Sequence, residues 1–76
     1  MKQLLEQIAR ALVDQPDRVD VQQVESERLI VLELRVASDD MGKVIGKQGR
    51  IAKAIRTVVN AAAVKENKRV VVEIVQ

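Results

Sequence analysis

The chain has 76 residues, 47% of them apolar and 32% charged, a formal net charge of +2, and no Cys, His, Phe, Tyr or Trp. That composition describes one globular domain, short enough to bury only about 60% of its unfolded surface. Without Cys and His it excludes disulfides, thiolate chemistry, the usual zinc ligands and the commonest acid–base catalyst.

From the N-terminus, "MKQLLEQIARALVDQPD" sets Leu4, Leu5, Ile8 and Leu12 on one face of a helix, a stripe expected to pack in the core. Pro16 cannot continue that helix and biases Gln15 away from helical geometry, so it ends near Asp14. Charged and apolar residues alternate from Lys2 onward, which fits neither a signal peptide nor a membrane span and makes a cytoplasmic protein the expectation. "RVDVQQVE" reads as a modest strand, and Ser26 with Glu27 as a tight turn. "RLIVLELRVA" is the strongest strand, with Ile30, Leu32, Leu34 and Val36 on one face. Its other face carries Leu29 and Val31, then Glu33 and Arg35, both expected to be solvated, cross-strand paired or beside a bound base.

"SDDMGKVIG" opens a helix of about two turns, which Ser38, Asp39 or Asp40 can cap and Gly46 can stop. Capping outweighs metal binding at the two aspartates. A further helix runs from Arg50 to about Ala63. At about 100° per residue, Ile51, Ile55, Val58, Val59 and Ala62 fall on one side, and Arg50, Lys53 and Arg56 on the other. "KENK" is a polar turn, and "RVVVEIVQ" a final strand with Val70, Val72 and Ile74 on one face. The order α–β–β–α–α–β makes a two-layer α+β domain, three strands covered on one face by three helices.

Charge is split along the chain. Residues 1–40 hold five basic and nine acidic side chains, a net of −4, and residues 41–76 hold eight and two, a net of +6. The basic half contains "VIGKQGRI", and a local basic surface implies an anionic partner. The glycine step there has three readings. It can be an ordinary helix-to-helix turn. As a nucleotide P-loop, Gly42 to Gln48 has one residue too few between its glycines and ends in Gln48 where a hydroxyl must meet magnesium. A dinucleotide loop fails because residue 44 is Val and no strand immediately precedes it. As a backbone clamp, Gly46 and Gly49 let a sugar–phosphate chain come close to the main chain. The helix N-terminus near Arg50 then supplies N–H groups, and Lys43, Lys47, Arg50, Lys53 and Arg56 supply charge.

"VIGKQGRIAKAI" resembles the signature of KH domains, in which an apolar-Ile-Gly-x-x-Gly turn joins two helices and clamps about four nucleotides. The element order resembles the bacterial type II arrangement. A single KH domain over 1–76 with its GxxG loop at 46–49 is similar to the small bacterial KhpA family. The resemblance implies Gly46, Lys47, Gln48 and Gly49 as the clamp, with Val44 and Ile45 as the apolar residues before it. Ile45 would face core or groove floor, and Arg50 and Lys53 would flank the groove, with Lys43 extending the charge for RNA. It also implies a non-catalytic protein that binds single-stranded RNA and needs no cofactor, metal, membrane or small-molecule substrate. It would form a homodimer, or a heterodimer with a larger KH-containing bacterial protein, and act as an RNA chaperone or post-transcriptional regulator in cell elongation, cell shape and envelope synthesis. The alternative is a protein–protein adaptor that uses the KH fold mainly for dimerisation.

Two departures accompany the resemblance. Ala52 stands where many KH domains carry a large aliphatic residue, and the turn at Ser26–Glu27 is short where they often have a longer loop. With no aromatic ring for stacking, both predict weak binding with little sequence selectivity. Lys65, Lys68 and Arg69 are expected to be a solvated turn, with contact to RNA the lesser reading.

Overall fold

α1 spans Lys2–Leu12 in the computed structural model, which describes residues 1–75, and stops where Val13 turns extended. Pro16 then serves as the first residue of a short 3-10 turn, Pro16–Arg18, a position its fixed φ suits. The first strand therefore begins two residues later than its valine pattern predicts, as β1, Asp20–Glu25. β2, Leu29–Arg35, pairs antiparallel with it, from Asp20 opposite Arg35 to Glu25 opposite Ile30. The Ser26 N–H closes the hairpin on the Leu29 carbonyl at 2.8 Å.

β3, Arg69–Val75, lies parallel to β2, giving a sheet of order β1-β2-β3. A parallel neighbour needs a crossover. Two helices supply it: α2, Met41–Ile45, which follows a 3-10 turn at Ser38–Asp40, and α3, Arg50–Lys65. α3 ends in a Schellman motif. Lys68 N–H donates to Ala63 O and Asn67 N–H to Val64 O, with Asn67 left-handed at φ 59°. The sequence reading carried the last strand on to Gln76, which lies outside the described residues.

The core sits between one sheet face and the helices. Ile30, Leu32, Leu34, Val70 and Val72 meet Leu5 and Ala9 of α1, Val44 of α2, and Ile55, Val59 and Ala63 of α3. Alternation along the strands decides this face, as their periodicity predicts.

The helices differ from expectation in which half of each apolar arc is buried. On α1, Leu5 and Ala9 are inside, whereas Leu4 and Ile8 are half-buried and Leu12 is exposed, so the stripe read as core is only partly core. On α3, Ala52, Ile55, Val59 and Ala63 face inward, while Val58 is 48% exposed and Ile51 and Ala62 are half-buried. Ala52 is interior. Both arcs are wider than the sheet can cover, because each helix meets it along one line. The surplus residues Leu4, Ile8, Leu12, Ile51, Ala54 and Val58 line an open apolar groove between α1 and α3.

Asp40 also departs from expectation, since it stands at the N-cap position of α2 but its side chain makes no capping bond to that helix. Its side chain is 1% exposed and accepts the backbone N–H of Asp14 at 3.2 Å and of Gln15 at 3.0 Å. Lys43 Nζ lies 3.4 Å away and also pairs with Asp14. The start of α2 is thereby stapled to the turn after α1. Burial works against the Asp40 carboxylate, yet the two N–H donors and the Lys43 ammonium hold its carboxyl below the ordinary 3.8. A carboxyl lowered on folding contributes stability that is full above its unfolded value and disappears as the pH falls through the folded one. Asp40→Asn, which offers one acceptor where two are used, is expected to lower Tm by several degrees at pH 7. Thermal melts followed by circular dichroism should show that deficit closing as the pH is taken below 3.8.

Candidate nucleic-acid interface

The glycine turn sits between α2 and α3, and its two glycines do different work. Gly46 has φ 77° and ψ 174°, a region essentially confined to glycine. A Cβ added there would lie 2.5 Å from Ile51 Cγ1. Gly46 is therefore required by packing, because the loop passes directly over the first turn of α3. Gly49 is left-handed at φ 72°, but a Cβ there would meet nothing within 4 Å. Its outer side is open, and a ligand backbone can approach it.

Between them Gln48 is also left-handed, at φ 57° and ψ 26°. A side chain other than glycine is costly there, and this strain at an exposed residue lies inside the sequence singled out as the clamp. The Gly49 N–H donates to Gly46 O at 3.1 Å, and the Arg50 N–H is taken by Lys47 O. Lys47 and Gln48 are both exposed, and Arg50 reaches back with a guanidinium N–H 3.4 Å from Gln48 Oε1. The loop thus offers one open glycine and two flanking cations at the start of a helix of 16 residues. Such a cradle suits an anion.

The other predicted residues divide. Val44 is fully buried and anchors α2 in the core, and Ile45 is half-buried against it. Lys53 is exposed one turn along α3. The Lys43 ammonium is engaged by Asp14, which with Asp40 raises its pKa against the desolvation that opposes it. Arg56 turns to the sheet, its Nε donating at 3.2 Å to the Val72 carbonyl on the free edge of β3. Lys68 pairs with Glu25, so this cation of the polar turn is spoken for within the chain. The Asp40 staple and the Gly46–Ile51 contact escaped sequence reading. Neither leaves a local signal, although an aspartate ahead of a helix is a prompt to ask what its carboxylate holds.

An α–β–β–α–α–β domain whose Gly-x-x-Gly turn joins two helices ahead of a parallel strand is a KH domain. The family profile described as KhpA/KhpB, KH domain, matches residues 2–74. The chain is 75% identical over 75 residues to the RNA-binding protein KhpA of Clostridium acetobutylicum, covering 99% of this chain and 100% of that one. It is 68% identical over 75 residues to the KhpA of Clostridium perfringens, with the same coverage. To that of Aquifex aeolicus it is 50% identical over 76 residues, covering 100% of this chain and 96% of the relative. No solved structure matches the chain. The chain belongs to the KhpA/KhpB KH-domain family. Among the described residues no helix is long and apolar enough to cross a membrane.

Proposed function

We propose that this protein is a non-catalytic binder of short single-stranded RNA, held by its backbone at Gly46–Gly49 with Arg50 and Lys53 alongside. One observation carries the reading: an open Gly49, with Lys47 and Gln48 exposed beside it, stands at the N-terminus of the basic helix. The relatives' name, RNA-binding protein KhpA, supports it. With no aromatic residue in the chain, bases are held by polar and apolar contact rather than stacking, so affinity is low and sequence selectivity small. Contact with about three or four phosphates predicts a log–log salt slope of roughly −2 to −3. Fluorescence anisotropy of a labelled oligouridine across a salt series measures it, and a flat response contradicts the phosphate clamp.

A clamp for about four nucleotides is weak alone, and two tethered clamps gain by effective concentration. The α1–α3 groove favours pairing with a second copy of this chain. It is apolar and continuous with the clamp through Arg50 and Ile51, so a two-fold pair would bring two clamps onto one strand. A heterodimer with a larger KH-containing protein through the same surface extends this reading, as do chaperone or regulatory roles in cell elongation and envelope synthesis in the cytoplasm. The adaptor alternative rests on the same groove. It requires that pairing persist while RNA binding is absent from the unmodified protein.

A further inference from the structure

None of the described residues covers the sheet face turned away from the helices. The strand register lines up Val24, Val31 and Val71 in one row across it. Val24 is 64% and Val71 43% exposed, and Leu29, two residues before Val31 on the same face, is 38% exposed. The next row holds Gln22, Glu33 and Glu73. Two glutamates side by side on neighbouring strands repel one another, and like-charge neighbours in a sheet are destabilising. None of the ion pairs among the described residues uses either glutamate. Gln22 does not bridge them, because its amide turns to Asp20. The basic side chains of this face stand elsewhere, Arg35 opposite Asp20 and Arg69 opposite Leu29.

An exposed apolar row bordered by an unneutralised pair of carboxylates specifies what can cover it. RNA is repelled by the acids. A plain apolar surface would leave them desolvated without a counter-charge. A guanidinium, with its planar fork of donors, can bridge two carboxylates set one strand apart. Width constrains the partner further. Three strands at about 4.8 Å spacing span about 10 Å, the breadth of one α-helix with its side chains.

We propose that the open sheet face seats one amphipathic helix of a protein partner, with aliphatic side chains on the Val24–Val31–Val71 row and an arginine or lysine on Glu33 and Glu73. The Gly46–Gly49 turn lies with the helices of the opposite layer, so this helix and an anionic strand can be bound together. The test uses two synthetic 14-residue helical peptides with the same leucine stripe, one bordered by arginines and the other by glutamates. Each is titrated into the 15N-labelled full chain. The arginine peptide should shift the amides of Val24, Val31, Glu33, Val71 and Glu73 and leave those of Lys47–Gly49 in place. Glu33→Gln with Glu73→Gln, which keeps shape and removes the repulsion, should weaken it at least about tenfold. Four results would overturn the proposal. They are equal affinity for both peptides, shifts confined to the α1–α3 groove, no arginine-peptide binding up to about 1 mM, or movement of the same sheet amides on concentrating the protein alone, which would assign the face to a second copy.

Discussion

Lys47→Asp combined with Gln48→Asp is expected to weaken binding of a short single-stranded RNA about a hundredfold without unfolding the domain. The change removes one positive charge and adds two negative ones at the cradle. At contact distance in a water-rich setting each unit is worth about 1 kcal/mol, so about 3 kcal/mol is lost in all, close to two decades in Kd. Folding should survive for reasons specific to these positions. Both side chains are exposed, and neither touches the core cluster. Gln48 is left-handed, a conformation that aspartate tolerates better than most residues. Anisotropy with labelled oligouridine, run beside thermal melts, measures both properties. RNA affinity retained at unaltered Tm would contradict the clamp.

Gly46→Ala is expected to be the most damaging single methyl that can be added to this loop. It combines a backbone conformation that only glycine adopts readily with a Cβ 2.5 Å from Ile51 Cγ1. The first cost is about 1–3 kcal/mol and the overpacking about 1–3 kcal/mol more. Together they approach the whole stability of a small domain. Gly49→Ala carries only the left-handed cost, about 1–2 kcal/mol, because nothing surrounds its Cβ. Urea denaturation should therefore rank Gly46→Ala well below Gly49→Ala. The double change Gly46→Ala with Ile51→Ala should destabilise by less than the sum of its parts, since the second substitution removes the atoms in collision. Additive losses would mean that Ile51 is not what excludes a side chain at 46.

These substitutions also mark how far the sequence alone reaches. The strands were legible because alternation is local: Ile30, Leu32 and Leu34 announce their face whatever lies opposite. The glycine turn was legible as a motif, and the basic helix after it as a periodicity. What stayed hidden depends on contacts between distant positions. Asp40 ahead of a helix reads as a cap, yet its partners are Asp14 and Gln15, 26 and 25 residues earlier. The apolar arcs of α1 and α3 are plain in sequence, but which half of each meets the sheet depends on how the two helices cross it. That is why Leu12 and Val58, both on apolar arcs, lie at the surface. The left-handed Gln48 has no sequence signature, because the turn imposes it on whichever residue stands there. The Glu33–Glu73 neighbourhood likewise exists only once β3 is set parallel to β2 in register.

The most direct test of the central claim is an amide-resolved titration of the 15N-labelled protein with a six-nucleotide oligouridine. The clamp predicts the largest shifts at Lys47, Gln48, Gly49 and Arg50, a smaller one at Lys53, and their loss as salt is raised. Shifts centred on the α1–α3 groove or on the open sheet face, or none at all, would contradict it.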